Sequence, residues 1–180
     1  MGAAKTLMTF EQFEQLPDQP GKRELLKGEL IELPPASMRH NRIAFRLSVR
    51  LAAALEAAHA RGEASELGDV YHEMGYQLAG EGYVQPDASI THAGQSVDEY
   101  FVGAPAIAIE VISPSNTVEE MELKTKLYFQ FGAREVWRVH SRTRCIVVHL
   151  PGRSHEVTED ETLTTPLLPG LALPVREILL

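Results

Sequence analysis

The first third of the chain alternates short apolar runs with polar residues. Residues 9–16 predict a short helix, with Thr9 as its N-cap and Gln12 able to complete a capping box. Two apolar runs between residues 23 and 35 meet at Lys27-Gly28, so we expect a β-hairpin in which Gly28 takes positive φ. Residues 37–60 have a helical period. They predict a long helix with a buried stripe of Ile43, Leu47, Leu51, Ala54, Leu55 and Ala58.

Strand patterns dominate the middle of the chain. Residues 69–79 and 83–91 are separated by a glycine-rich turn at residues 80–82, which predicts a hairpin. The run AIAIEVI at residues 106–112 is apolar on both faces except at one position, as is typical of a central strand. Thr117 and Glu120 then form a capping box for a helix that should end at Gly132.

The remaining residues predict the far edge of the sheet and a tail. Residues 135–140 and 144–150 are apolar and flank a short polar stretch, so we expect a second hairpin at that edge. The following residues contain several prolines and predict a meandering tail. We expect this tail to pack over the core through Leu167, Leu171 and Leu173.

Three charged residues lie where these patterns favour apolar ones. Asp87 lies in VQPDASI, and Glu110 lies in AIAIEVI, where strand alternation directs it into a covered face. At about 100° per residue, Lys124 falls in the middle of the apolar face of its helix, near Tyr128 and Phe131. A charge in such an environment is costly unless it is paired, hydrogen-bonded or bound to a metal.

These residues predict one metal-dependent site. Neighbouring strands lie about 4.8 Å apart, so Asp87 and Glu110 could share a divalent cation. Lys124, projecting inward from the next helix, could balance charge or hold a nucleophilic water. The ordinary alternatives are a structural ion pair for Glu110, a strand start or turn for Asp87, and a lysine that reaches solvent for Lys124. His40 and Glu29 are further catalytic candidates, and ordinary polar roles are their alternatives.

Length and composition limit these interpretations. The 180 residues fit one domain, residues 1–180, and 44% hydrophobic with 23% charged residues is ordinary for a globular protein. The single cysteine, Cys145, excludes an internal disulfide and suits a reducing compartment such as the cytoplasm. No apolar run reaches the roughly 18 residues of a membrane span, and nothing marks a secretory signal. The match to an N-myristoylation pattern at Met1-Gly2 is too short to be specific, so we do not expect a lipid anchor there. We expect the first residues to form a frayed N-terminus.

The charge distribution bears on nucleic-acid binding. A net charge of −8 argues against a general nucleic-acid coat protein, because such binding depends on neutralising phosphates. The long helix nevertheless carries a ridge of arginines that share a narrow arc: Arg39, Arg42, Arg46 and Arg50. This ridge is either an ordinary solvated helix face or a surface that contacts phosphates.

An ordered set of these residues resembles the Uma-type family of restriction endonucleases over about residues 23–150. The matching segments are RELLKGELIELPPAS with the following His40, PDASI, AIEVISPSN, Lys124 with Tyr128, and GAREVWRV. The family is assigned to the PD-(D/E)XK nuclease superfamily. The resemblance implies an α/β (mixed) fold with a restriction-endonuclease-like core, in which a central mixed β-sheet is flanked by helices, here with an N-terminal hairpin.

The resemblance also implies roles for individual residues. Asp87 would belong to the PD element and Glu110 would be the acidic residue of the (D/E)XK strand. The position two residues after Glu110 is Ile112, so the lysine is missing from its usual place. The family has a lysine four residues before a helix tyrosine, and Lys124 fits that place relative to Tyr128.

We therefore expect a cytoplasmic endodeoxyribonuclease that hydrolyses DNA phosphodiester bonds with Mg²⁺ or Mn²⁺. Asp87 and Glu110 would bind the metal, and Lys124 would orient or help to activate the attacking water. The DNA backbone would be positioned by Arg39, Arg42 and Arg46. One alternative is a protein of the same fold that has lost catalysis and acts as a binding or regulatory module, with Glu110 paired to a protein cation. Another is a metal-dependent hydrolase of a different substrate, and a homodimer remains open.

Overall fold

The computed structural model describes residues 7–180, so the expectations for the extreme N-terminus concern residues outside this range. The helices are α1 (Phe10–Glu14), α2 (Met38–Ala60), α3 (Val118–Gln130) and α4 (Val175–Leu179). The strands are β1 (Lys22–Leu26), β2 (Glu29–Leu33), β3 (Leu67–His72), β4 (Tyr76–Leu78), β5 (Gly82–Val84), β6 (Ala88–His92), β7 (Phe101–Val102), β8 (Ile107–Val111), β9 (Glu135–His140), β10 (Cys145–Leu150), β11 (Arg153–Thr158), β12 (Thr162–Leu163) and β13 (Leu173–Pro174). No helix within residues 7–180 has both the length and the apolar character needed to cross a bilayer.

Six strands form a large mixed sheet in the order β11-β10-β9-β8-β6-β3. β8 and β9 are parallel, whereas the other neighbours are antiparallel. The apolar stripe of α2 packs on one face of this sheet, against Ile107 and Ile109. On the other face, Leu127 and Tyr128 of α3 share a buried cluster with Ala108. The predicted mixed α/β fold, with a central sheet flanked by helices, is confirmed.

A smaller sheet lies on the α3 side of the large one. Its strand order is β2-β1-β5-β4-β7, and the predicted hairpin at Lys27-Gly28 forms the pair β1–β2, with Gly28 at a φ of 81°. Leu26 and Val84 of this sheet pack in the same buried cluster as α3. The face of the large sheet that carries Glu110 is therefore enclosed by α3 and by the smaller sheet.

The glycine-rich turn at residues 80–82 does connect a hairpin, but the hairpin is shared between the two sheets. β4 and β5 pair in the smaller sheet, whereas β3 and β6 pair in the large one. The expectation of two continuous strands at residues 69–79 and 83–91 is therefore wrong. The breaks have local causes, since Glu73 adopts a φ of 50° and Pro86 has no N–H to donate. Asp87 follows Pro86, at the point where the chain passes between the sheets.

The far edge of the large sheet also differs from the prediction. The hairpin of β9 and β10 is present, but β11, which was expected to be part of the tail, pairs with β10 and forms the edge. Val157 is the only buried residue of β11, so this strand lacks an apolar alternation that would have revealed it. Leu171 and Leu173 are buried in the main core as expected, and Leu167 packs against it half-buried.

We expect Gly82→Ala to destabilise the protein by about 3 kcal/mol, the upper end of the ordinary range for single substitutions. Gly82 has a φ of 139°, and a Cβ there would overlap the carbonyl oxygen of Leu25, so the pairing of β1 with β5 would have to shift. Gly80→Ala is the matched control, because an added Cβ at Gly80 has nothing within 4 Å and carries only the left-handed penalty of about 1 kcal/mol. Urea unfolding measures both values, and equal losses would contradict the steric argument.

Candidate active site

Two adjacent strands of the large sheet bring Asp87 and Glu110 together. β6 and β8 pair antiparallel with Ala88 opposite Ile109, and one step further along this register Asp87 faces Glu110. Residues that face each other on antiparallel strands point to the same side of the sheet, with Cα atoms about 4.5–5.5 Å apart. Both carboxylates are buried, at 3% and 4% exposure. The sheet register alone therefore makes them neighbours.

Asp87 has three polar neighbours. Its Oδ1 accepts a hydrogen bond from Lys22 Nζ at 3.0 Å, and its Oδ2 accepts one from the Val111 amide at 2.7 Å. His40 Nε2 lies 3.2 Å from the same Oδ2. Burial by itself raises the pKa of Asp87, but Lys22 and His40 outweigh this effect, so the pKa lies below its ordinary value. The carboxylate is therefore ionised at neutral pH.

Glu110 is held from the buried side. Its Oε1 lies 2.6 Å from Lys124 Nζ and accepts a hydrogen bond from the Tyr128 hydroxyl at 2.6 Å. Lys124 Nζ also lies 2.9 Å from each carboxylate oxygen of Glu24 on β1. Burial lowers the pKa of Lys124, but Glu110 and Glu24 outweigh this effect, so the pKa is raised and the ammonium keeps its proton. Lys124 is thus a cation between two buried carboxylates.

A cleft of about 620 Å³ opens over these residues. Asp87, Glu110, Lys22 and His40 all line it, together with the segments 33–37 and 113–116. Lys124 does not line the cleft, and 4% of its side chain is exposed, compared with 16% for that of Lys22. Lys124 therefore lies behind Glu110, and its expected direct contact with the attacking water has no support in this geometry.

Among the remaining catalytic candidates, His40 is at the cleft and Glu29 is not. His40 lies in the first turn of α2 and contacts Asp87. Glu29 begins β2, whereas the cleft is reached at the other end of that strand, by Leu33. Four residues of strand span about 13 Å, so the structure does not bring Glu29 to the carboxylates. The hairpin glutamate that lies near these carboxylates is Glu24, which shares Lys124 with Glu110.

The arginine ridge faces away from the cleft. At about 100° per residue, Arg39, Arg42 and Arg46 point about 100–160° away from His40 around the axis of α2. Arg39 donates a hydrogen bond to a backbone carbonyl in the β9–β10 turn at 2.8 Å, and Arg46 donates one to the carbonyl of Glu177 in α4 at 3.3 Å. The ridge thus points away from the cleft and packs partly against neighbouring elements. The expected contact of these arginines with phosphates therefore finds no support at this cleft.

Sequence reasoning missed Lys22 and Glu24. These two residues are separated by one position on β1, so strand alternation points both to the face that also carries the buried Leu26. That alternation was the available signal, but the hairpin was predicted only from residue 23. Tyr128 was placed on the apolar face of α3 and in the family pattern, but it was not predicted to contact the site, where its hydroxyl donates to Glu110.

The donor set fits a hard divalent cation. Within residues 7–180 no group of three or more His, Cys, Asp or Glu side chains is arranged to hold a metal. Mg²⁺, however, is usually bound by one or two carboxylates together with water and substrate phosphates. Asp87 and Glu110 offer such oxygens from facing strand positions at an open cleft. These residues therefore suit Mg²⁺ or Mn²⁺ and do not provide the thiolate or histidine set of a structural zinc site.

The fold and the cleft define a nuclease-like α/β protein. The chain belongs to the Uma2 family, described as "Putative restriction endonuclease", whose model matches residues 10–176. The fold is similar to a crystal structure described as "a putative nuclease belonging to DUF820" from Anabaena variabilis ATCC 29413, with a TM-score of 0.79 and 17% identity over 96% of this chain and 99% of that chain. No curated protein matches the chain significantly. The resemblance seen in the sequence is confirmed.

Proposed function

We propose that the protein is an endonuclease that hydrolyses DNA phosphodiester bonds with Mg²⁺ or Mn²⁺ bound at Asp87 and Glu110. The observation that carries this proposal is the pair of facing carboxylates at an open cleft. DNA as the substrate rests on membership of a family described as "Putative restriction endonuclease". The single, buried cysteine fits action in the reducing cytoplasm.

The charge at the cleft supports a metal requirement. Glu73, Asp87 and Glu110 line the cleft, and Lys22 is the only lysine or arginine among the described residues that line it. Carboxylates repel a DNA phosphate, so binding in this cleft needs a further positive charge. A divalent cation would supply that charge, and it would also polarise the phosphoryl oxygen and lower the pKa of a bound water.

The side chains around the carboxylates have distinct tasks in this proposal. Lys124 and Tyr128 fix Glu110 from behind, each 2.6 Å from the same oxygen. The amide of Val111 and His40 hold Asp87 from the cleft wall. A rigid carboxylate pair loses little freedom when it binds a cation or orients water, which is the benefit of preorganisation.

Mn²⁺ is expected to stabilise the protein and to be required for cleavage of DNA. A ligand that binds only the folded state adds about 2.7 kcal/mol when its concentration is 100 times Kd, and for a chain of this size this raises Tm by about 5–10 °C. Thermal unfolding with and without Mn²⁺ measures the shift, and gels of single- and double-stranded DNA measure cleavage. A wild-type protein that shows neither effect would refute the proposed function.

A second candidate is the catalytically inactive module. The specific observation in its favour is that each carboxylate already has a lysine partner, Lys22 on Asp87 and Lys124 on Glu110. Asp87 and Glu110 therefore each have a protein cation as a partner without any metal. This candidate predicts that Mn²⁺ leaves Tm unchanged, whereas a hydrolase of another substrate would bind Mn²⁺ and leave DNA intact.

A further inference from the structure

We infer that Lys22 is the cation that contacts a phosphate of the substrate in this cleft, and that Lys124 is a positioning residue acting through Glu110. This assignment rests on the proposed nuclease function. It differs from the nuclease pattern in the sequence, which singles out the lysine on α3 and gives no role to β1.

The environment of Lys124 argues against contact with substrate. Its Nζ lies between Glu24 and Glu110, with three carboxylate oxygens within 2.9 Å. The ring of Tyr128 lies 5.9 Å from the same nitrogen. If Lys124 moved toward the cleft, two buried carboxylates would lose their shared cation, which is strongly unfavourable. Lys124 is therefore confined to the buried side of Glu110.

Lys22 has the opposite environment. It reaches the cleft from the start of β1, and its Nζ donates to the backbone carbonyl of Gln85 at 2.6 Å and to Asp87 at 3.0 Å. An ammonium has three N–H donors, so one remains available toward the cleft. If Asp87 bound a cation, the second donor would also become available, while the Gln85 carbonyl would still anchor Lys22 beside the site.

The chemistry of the Lys22 side chain suits this role. Its amine lies at the cleft, next to Asp87 and the Gln85 carbonyl. A compact ammonium with free donors is a common partner of phosphate oxygens.

DNA affinity and metal affinity, measured separately, test the assignment. Binding of a labelled duplex and of its single strand is measured in Ca²⁺, with gels to check that the DNA stays intact. Mn²⁺ affinity is measured by calorimetry without DNA. Lys22→Met should weaken DNA binding by about 10–100-fold and should lower the slope of log K against log salt by about 0.9 for duplex or 0.7 for single strand. It should not weaken Mn²⁺ binding, because Asp87 loses a competitor.

Two further variants make the result specific. Lys22→Arg keeps the positive charge and should recover part of the DNA affinity and the wild-type salt slope. An arginine can also pair with Asp87, so the separate Mn²⁺ affinity is the measurement that distinguishes a purely structural role. Lys126→Met removes the same charge from an exposed position of α3 and should leave both affinities unchanged. Circular dichroism shows whether each variant is folded. If Lys22→Met fails to fold, Lys22→Gln takes its place.

The outcomes separate this inference from the proposed function. A wild-type protein that binds neither form of DNA in the presence of a divalent cation would overturn both. A wild-type protein that binds DNA, with a Lys22→Met variant of equal affinity and equal salt slope, would overturn only the assignment of Lys22. A parallel loss of Mn²⁺ and DNA affinity in Lys22→Met would also overturn it, because Lys22 would then act by holding the carboxylates.

Discussion

Glu110→Gln is expected to lower the rate of metal-dependent DNA cleavage by about 10³-fold or more. A metal contributes several kcal/mol of charge stabilisation in the transition state, and each 1.36 kcal/mol corresponds to about tenfold in rate. The amide has nearly the same size as the carboxylate but lacks its charge, so Mn²⁺ binding should weaken as well. The Tyr128 hydroxyl can still donate to the amide oxygen, which preserves the local packing. Cleavage assays over a range of Mn²⁺ concentrations measure both effects.

The control for this prediction makes the same chemical change at a different place. Glu119 is an exposed residue of the first turn of α3, so Glu119→Gln removes one negative charge without touching the cleft. It should leave cleavage and Mn²⁺ affinity at the wild-type level. A Glu110→Gln variant that cleaves DNA as fast as this control would show that Glu110 is not part of the reactive site.

Lys124→Met is expected to destabilise the fold by about 3–5 kcal/mol, the usual cost of removing one partner from a buried ion pair. Glu24 and Glu110 are both buried, and Lys124 is the cation that they share. Without it, two carboxylates remain uncompensated in a medium of low dielectric constant. For a chain of 180 residues this loss corresponds to a fall in Tm of about 6–20 °C. Thermal or urea unfolding at pH 7 measures it.

The loss of stability of Lys124→Met relative to the wild-type protein should become smaller as the pH falls. A buried carboxyl without a cation has a folded-state pKa above its unfolded value, so between the two values the folded protein binds more protons than the unfolded chain. Stability therefore decreases as pH rises through this window, which starts near the ordinary glutamate pKa of about 4.3. Adding Glu24→Gln to Lys124→Met removes one of the two charges and should recover part of the lost stability at pH 7.

Lys126→Met is the matched control on the same helix. Lys126 is exposed, and an isolated surface charge contributes little to stability, so a change within about 0.5 kcal/mol is expected. If Lys124→Met lost no more than this control, the ion pairs seen at Glu24 and Glu110 would contribute nothing to the stability of the fold. Additive effects of Glu24→Gln and Lys124→Met would likewise contradict their coupling.

The local elements were predictable because their signals are local. The capping boxes of α1 and α3 both form, and the apolar period of α2 locates its buried face. Strand breaks were less predictable. Residues 69–79 have one continuous strand-like pattern, yet β3 and β4 pair in different sheets. Alternation reports which side of a strand is covered, but it does not report which sheet covers it.

The candidate site was predictable only in part for the same reason. Asp87 and Glu110 stood out as charges within apolar strands, and Lys124 stood out as a charge on an apolar helix face. Lys22 and Glu24 lie near the start of a hairpin, where polar residues are ordinary, so their positions raised no conflict. They enter the site because β1 pairs with β5, which is a contact between residues more than 50 positions apart in the sequence.

The sequence by itself indicated that two acids and a lysine lie at buried positions near a central strand, because the period of the apolar residues around them predicts burial. Tertiary structure decided how those charges are compensated. It placed Lys124 behind Glu110 with Glu24, placed Lys22 and His40 against Asp87 at the open cleft, and turned the arginine ridge away from it. Ion pairs act over a few ångströms, so which cation meets which carboxylate depends on sheet order and strand register. Both depend on contacts between segments that are far apart in the sequence, so no single segment predicts them.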